Sequence, residues 1–486
     1  MQPWLSDPFD DDKLKEECGV FGTIGVTDAA NFVALGLHAL QHRGQEAGGI
    51  ITYAPESGFN SAHRFGLVRD SFTSTKVMET LPGTIGIGHV RYSTAGTKGS
   101  TSIRDVQPFF GEFAMGGAAI AHNGNITNAG TVRRELIERG SIFQSSSDSE
   151  CIIHLMARSY QTTIAERLKD ALRRVEGAFS IVAMTRTKLI GVRDPLGVRP
   201  LVLGRLGEGW ALASETCALD IIGAEFVREI EPGEMVVIGA EGVTSTHPFQ
   251  SRGSRFCIFE QVYFSRPDSS LGGRSVYETR RQIGVELARE APVEADLVCP
   301  VPDSGTPAAI GYSQESGIPY AMGIVRNQYM GRTFIEPSEQ IRNMGVRLKL
   351  NVNRALVAGK RVVLVDDSVV RGTTSLKIKQ MILEAGASEV HFRIASPPTM
   401  WPCFYGVDTP ERSKLLAARM TEEEMRDYIG VESLKFVSLD GLYRAAGEAE
   451  GRSNSCPQFC DACFSGEYPI VPSDMVKRGF TLKAAE

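Results

Sequence analysis

Short apolar runs separated by polar turns make up the first half of the chain. Strand-like runs lie at Cys18–Gly25, Gly86–Val90, Ala118–Ala121, Ser180–Met184 and Met235–Ile238. Helical periodicity intervenes at Ala29–Gln41, Thr131–Glu138 and Glu150–Arg158. Many strands with a few covering helices predict a layered α+β sandwich. The polar stretch His247–Ser254 reads as a linker. Beyond it the rhythm changes. Helix is expected at Ser275–Glu290, strand at Leu297–Val301, and a short helix from Pro307 towards Tyr312. Strand follows at Arg361–Val365, helix at Thr374–Ala385 and strand at Glu389–Ile394. That alternation predicts a doubly wound parallel α/β sheet. The expected organisation is a leader at 1–17, one domain at 18–250, a second at 251–475 and a tail at 476–486.

Composition narrows the class without naming a chemistry. With 486 residues the chain has room for two or three cores. Hydrophobic residues at 42% and charged residues at 23% are ordinary for a soluble globular protein. The net charge of 52 − 58 = −6 provides no basic field for nucleic acid. No apolar run nears the length of a membrane span. The nine cysteines are odd in number and scattered, unlike a secreted disulfide framework. The first 17 residues carry six acidic and two basic side chains, which fits neither a secretory signal nor a transit peptide. A reducing, cytoplasmic setting is expected, where thiols serve catalysis or metals.

The stretch Val362–Ser375, V-V-L-V-D-D-S-V-V-R-G-T-T-S, changes the picture most. A β-branched run ends in two aspartates, at the carboxyl end of a strand where open α/β sheets hold ligands. Asp366 and Asp367 can accept hydrogen bonds from paired sugar hydroxyls or hold Mg²⁺. Ser368 and the turn Arg371-Gly372-Thr373-Thr374-Ser375 offer hydroxyls, a cation and a helix N-terminus to a phosphate. A phospho-acceptor or a nucleotidase metal site would use a similar acidic pair. The loop Val301–Pro307, V-P-D-S-G-T-P, could bind pyrophosphate, with Ser304 helping to ligate Mg²⁺; alone it is a common turn composition. Between the two lies Arg326–Ile335, in which Arg332, Thr333 and Phe334 suit a closing lid and equally a solvated basic loop.

The first half has its own ordered set. Cys18-Gly19-Val20-Phe21-Gly22 opens the folded region. If the leader is removed at the Glu17–Cys18 bond, Cys18 carries both a thiol and a free α-amine that can act as its base. Leu40–Gly44 (L-Q-H-R-G), Gly88–Thr94 (G-H-V-R-Y-S-T), Ala121–Asn125 (A-H-N-G-N) and Ser146–Glu150 (S-S-D-S-E) follow. Arg91 can fork onto an α-carboxylate, Asp148 can pair with an α-ammonium, and Asn123 with the Gly124 N–H can form an oxyanion hole. Cys460-Asp461-Ala462-Cys463 is a C-x-x-C open to redox, zinc or iron–sulfur use. Cys151, Cys217 and Cys299 read as small core residues.

The first set resembles the glutaminase domain of N-terminal-nucleophile glutamine amidotransferases. Val362–Ser375 resembles the phosphoribosyl-pyrophosphate (PRPP) motif of phosphoribosyltransferases. In this order, over about residues 18–475, the chain resembles the amidophosphoribosyltransferase family. The resemblance implies an αββα glutaminase sandwich at 18–250 and a type I phosphoribosyltransferase sheet at 251–475. It implies Cys18 as nucleophile with Asn123 and Gly124, and glutamine held by Arg91 and Asp148. PRPP would be bound by Asp366, Asp367, Ser368 and Arg371 to Ser375, with Mg²⁺ on Ser304, Asp366 and Asp367. Resemblance to the leader-processed subgroup, at F-C-I-F-E, P-C-F-Y-G and the C-x-x-C, implies a 4Fe-4S cluster on Cys257, Cys403, Cys460 and Cys463. Cys456 could compete for ligation, and zinc is the rival occupant. The family further implies a homotetramer inhibited by purine nucleotides. A PRPP-sensing regulator without catalysis would not need the glutaminase set, and a sugar-phosphate amidotransferase would not need R-G-T-T-S.

Overall fold

The computed structural model describes residues 15–16, 18–92, 102–250, 252–327, 350–477 and 479–480. The expected lid residues Arg332, Thr333 and Phe334 lie outside them, as do Ser93, Thr94 and most of the leader.

Two antiparallel sheets stack face to face in the first half. One runs, in spatial order, Glu225–Glu229, Val202–Leu206, Gly209–Ala213, Cys18–Ile24, Ile85–Arg91, Ala47–Ala54, Gly58–Phe65. The other runs Gly242–Thr246, Met235–Gly239, Leu189–Arg193, Gly177–Met184, Gly116–Ile126, Phe109–Phe113. Alternation along the central strands decides what fills the space between them. Val20, Ile51 and Ile87 from the first sheet meet Ala119, Ala121, Val182 and Val236 from the second. The opposite faces are apolar too and must be covered. Val33 and Leu37 of helix Ala29–Ala39 cover the first. Helices Ala129–Glu138, Glu150–Arg158 and Ile164–Leu172 cover the second through Leu136, Leu155 and Leu168. The expected αββα sandwich results.

The second half holds a four-stranded parallel sheet in the order Leu297–Pro300, Arg361–Asp366, Glu389–Ile394, Ser433–Phe436. The unbroken apolar run Val362–Val365 is buried on both sides, as parallel sheets require. Val363 and Val365 face helices Val276–Glu290 and Thr306–Ser316, through Ile283, Leu287 and Ala309. Val362 and Leu364 face helices Thr373–Glu384 and Glu422–Ile429, through Ile378, Ile382 and Met425. The helix expected from Pro307 to Tyr312 is longer, spanning Thr306–Ser316 with Pro307 at its start.

The stretch expected to be a linker is tied down. Phe249 is buried in the core of the first half, and the Arg252 and Arg255 N–H groups donate to Pro195 and Leu196 carbonyls. Core packing also crosses between the halves: Ala178, Leu196 and Val198 share a cluster with Ile258, Ile283 and Tyr443. Lys15–Glu16, within the expected leader, pair antiparallel with Val407–Asp408.

Candidate functional site

Cys18 is the first residue of a central strand and is buried. Its register partner on the neighbouring strand is Arg91. Arg91 Nη1 lies 3.8 Å from Asp105 Oδ2, and Asp105 Oδ1 accepts from the Ser146 N–H at 2.7 Å and its hydroxyl at 3.0 Å. Asp148 sits two residues along the same serine-rich turn. Its Oδ2 accepts from the Ile126 N–H at 2.9 Å and its Oδ1 from the Ser149 hydroxyl at 3.2 Å. One turn therefore ties the two expected amino-acid contacts, Arg91 and Asp148, together.

Strand Gly116–Ile126 packs across the sandwich against strand Cys18–Ile24 and carries His122-Asn123-Gly124. Asn123 has no exposed surface, and neither atom of its side-chain amide has a hydrogen-bond partner among the described residues. Leaving a buried amide unsatisfied is costly, so such a group points to a ligand that satisfies it. Two buried histidines flank it, neither having been given a role from sequence. His122 Nδ1 lies 2.8 Å from the Ser149 hydroxyl, and His89 Nε2 lies 3.2 Å from the His122 carbonyl. Burial pushes the His89 imidazole down to about 3, assisted by the positive charge of Arg91. Burial likewise lowers His122, against the pull of Asp148. Both rings are neutral at physiological pH, so neither adds a positive charge beside Arg91 and Asp148.

The second half-site forms where two parallel strands end. Val301 N–H donates to the Val365 carbonyl at 2.8 Å, which draws the loop Pro302–Gly305 up to Asp366. The approach requires glycine: a Cβ on Gly305 would lie 2.3 Å from the Val365 oxygen. The loop that carries Ser304 is thus packed against the end of the strand that carries the acidic pair, where the sequence placed it only on an expected neighbouring strand. Asp366 and Asp367 are both buried. Asp366 Oδ1 accepts from the Asp367 N–H at 2.9 Å, and the Ser368 hydroxyl donates to Asp367 Oδ2 at 2.6 Å. Gly372, at φ +80°, caps helix Thr373–Glu384, with Thr373 exposed and Thr374 and Ser375 buried in its first turn. Hydroxyls, the Arg371 cation and first-turn N–H groups are the donor set that anions meet at helix N-termini. The buried carboxylates and hydroxyl suit a hard cation.

Arg280 was missed by the sequence reading. It is buried, donating through Nε to the Gln261 carbonyl at 2.9 Å and through Nη2 to the Ser265 carbonyl at 2.7 Å. Burial pushes its guanidinium down to about 10, while the charge of Asp367 holds it up. A signal was available: Arg280 lies on the same helical face as Val276, Ile283 and Leu287, where an apolar side chain is expected.

A third cluster joins the halves. Arg43 and Arg199 from the first half meet Glu215 and, from the second, Glu260; all four side chains are fully buried. Arg43 Nη2 donates to Glu260 Oε2 at 2.7 Å, Arg199 Nη2 lies 3.1 Å from Glu260 Oε1, and Arg43 Nε pairs with Glu215. Ser265 and Ser269 hydroxyls donate to Glu260 and Glu215 at 2.6 and 2.7 Å. Burial alone would raise both carboxylates, but Arg43 pulls each below its ordinary range. Glu260 opens the π-helical turn Glu260–Phe264, directly after Cys257-Ile258-Phe259.

Cys257 and Cys460 are register partners in a short parallel pairing, and both line a small cavity with Cys403 and Cys463. The remaining walls include Val198, Phe259, Tyr405, Val407 and Ala462. Burial, with the Glu260 charge and the Cys403 sulfur, pushes the Cys257 thiol up to about 12, and burial with the neighbouring sulfurs raises Cys460 and Cys463 as well. Four thiols in so apolar a pocket ionise only beside a cation, so the set fits a thiolate-held metal centre. Cys456, the expected competitor, is exposed and lines none of this cavity. Cys151, Cys217 and Cys299 are buried, as expected of core residues.

Comparison with known proteins covers both half-sites. A family model for a glutamine amidotransferase domain matches residues 91–220. The amidophosphoribosyltransferase of Rhizobium etli is 56% identical over 95% of this chain and 94% of its own. That of Bacillus subtilis is 47% identical over 94% of both chains. A solved structure of the B. subtilis glutamine PRPP amidotransferase, complexed with ADP and GMP, superposes with a TM-score of 0.87 at 44% identity, covering 93% of this chain and 97% of that one. A fold carrying both half-sites, together with relatives this similar along nearly its whole length, places the chain in the amidophosphoribosyltransferase family.

Proposed function

We propose that the two half-sites divide the family's reaction, the glutamine-dependent first step of purine biosynthesis. In the first, Cys18, freed from its leader, attacks the side-chain carbonyl of glutamine. Its own α-amine takes the thiol proton. Arg91 holds the substrate carboxylate and Asp148 its ammonium. Asn123 and the Gly124 N–H stabilise the tetrahedral oxyanion, ammonia leaves, and water hydrolyses the thioester to glutamate. Ammonia passes inside the molecule to the second site. There Asp366 and Asp367 hold the ribose hydroxyls, and Ser368 with Arg371, Gly372, Thr373, Thr374 and Ser375 hold the 5′-phosphate. Mg²⁺ on Ser304, Asp366 and Asp367 would offset the pyrophosphate charge, and Arg332, Thr333 and Phe334 would close over it. Ammonia adds to C1 as pyrophosphate departs through an oxocarbenium-like state, giving 5-phosphoribosylamine.

A 4Fe-4S cluster on Cys257, Cys403, Cys460 and Cys463 would cross-link three distant segments rather than take part in turnover. A homotetramer in the cytoplasm, inhibited by purine nucleotides, completes the reading; the nucleotide complex of the B. subtilis relative supports the inhibition.

The observation that carries this reading most is the buried Asn123 amide, without a partner among the described residues, on a strand packed against that of Cys18. Two variants test it. Cys18→Ala is expected to abolish glutamine-dependent synthesis and keep synthesis from ammonia. Asp366→Asn with Asp367→Asn is expected to lose both. Loss of both activities in Cys18→Ala would overturn the two-site division.

A further inference from the structure

The glutaminase oxyanion donors are gripped by a loop of the other half. Gly406, at φ +105°, is so close to Gly124 that a Cβ there would lie 3.0 Å from the Gly124 Cα and 3.2 Å from its carbonyl carbon. On its other side Gly124 abuts strand Gly177–Met184, where its own Cβ would fall 2.1 Å from the Ala178 oxygen. The next residue, Asn125, donates through Nδ2 to the Phe404 carbonyl at 2.9 Å. The Gly124 peptide is therefore held between Ala178 and the loop Cys403–Gly406.

That loop is itself braced. Cys403 N–H donates to the Thr409 hydroxyl at 2.7 Å, and Tyr405 N–H to Cys403 Sγ at 3.3 Å. Tyr405 is buried and its phenol oxygen accepts from the Ile470 N–H at 3.0 Å. The Phe404 ring packs against Tyr468, with centroids 5.2 Å apart. Asn123, by contrast, has no intramolecular hydrogen bond that would fix its side chain among the described residues. Oxyanion donors act only when pre-aimed, and a displacement of about 1 Å can cost on the order of 100-fold in rate.

We infer that Gly406 and Asn125 are positioning residues for glutamine hydrolysis, through which the loop Cys403–Gly406 of the second half aims the oxyanion donors of the first. This rests on the oxyanion reading of Asn123 and Gly124 given above.

The test uses the full-length, leader-processed enzyme and measures glutamine hydrolysis and ammonia-dependent synthesis side by side. Gly406→Ala pushes a methyl group into the Gly124 backbone and is expected to lower kcat for glutamine at least about tenfold. Asn125→Ala removes the bond to Phe404 without a clash and is expected to lower it about threefold to tenfold. In both, KM for glutamine stays within about twofold and synthesis from ammonia is retained, because neither substrate contact nor the second site is touched. Should Gly406→Ala fail to fold, Asn125→Ala decides. Unchanged kcat in the folded variants overturns the inference, as does an equal loss of ammonia-dependent synthesis. Asn123→Ala separates this failure from that of the underlying reading. If Asn123→Ala still hydrolyses glutamine, the oxyanion reading and the inference fall together. If it is inactive beside fully active Gly406→Ala and Asn125→Ala, only the positioning role falls.

Discussion

Arg43 Nη2 donates to Glu260 Oε2 at 2.7 Å, and neither side chain has any exposed surface. The two residues come from opposite halves of the chain, so this ion pair and its partners Arg199 and Glu215 weld the halves in a dry interior. Removing one member leaves a charge uncompensated. Glu260→Ala is expected to cost about 3–5 kcal/mol, read as a lowered denaturation midpoint. Replacing all four by apolar residues of similar volume is expected to cost less than that single change. A Glu260→Ala variant as stable as the parent would show that the quartet contributes nothing.

Arg91 is expected to act on glutamine alone. Losing a charged fork to a carboxylate costs about 1.5–3 kcal/mol. Arg91→Ala should therefore lower kcat/KM for glutamine by about tenfold to a hundredfold, with synthesis from ammonia unchanged. Steady-state kinetics with each nitrogen source checks this.

His89 makes the first half acid-sensitive. It stays neutral in the folded protein down to about pH 3, whereas an unfolded histidine takes up a proton near pH 6.5. Above pH 6.5 both states are neutral and the group has no effect. As pH falls from 6.5 towards 3 the unfolded state gains the proton alone, so stability falls, by about 2 kcal/mol at pH 5. His89→Gln should flatten that part of the stability–pH curve, measured by denaturation at fixed pH values.

The cysteine centre is expected to hold four iron and four acid-labile sulfide per chain, a count that follows from the 4Fe-4S assignment. Metal analysis and visible absorption of protein purified without oxygen check it; one zinc per chain in a colourless protein would replace the assignment. Cys456→Ser should leave the metal content unchanged, because that thiol is exposed and away from the cavity. Cys460→Ser should lose metal.

Strands with strong local signals were legible in the sequence. Val362–Val365 is apolar at every position, and Cys18–Ile24 is buried almost throughout, so both emerged within a residue or two. Gly58–Phe65 was not, because its solvent-facing residues break the apolar pattern. Ser433–Phe436 escaped for the same reason, being four residues long with an exposed Lys435. The ordered motifs supplied the candidate site residues. What local pattern could not carry was pairing across distance. Arg43 with Glu260, Asn125 with Phe404 and Gly124 with Gly406 are each meaningful only once two remote segments meet.

The shared core of Ala178, Leu196 and Val198 with Ile258, Ile283 and Tyr443 has an evolutionary consequence. Here an exchanged module would have to bring its own matching apolar surface, a matching charge quartet and a glycine facing Gly406. A foreign glutaminase spliced onto this acceptor half would leave apolar surface uncovered and buried charge unpaired at the junction.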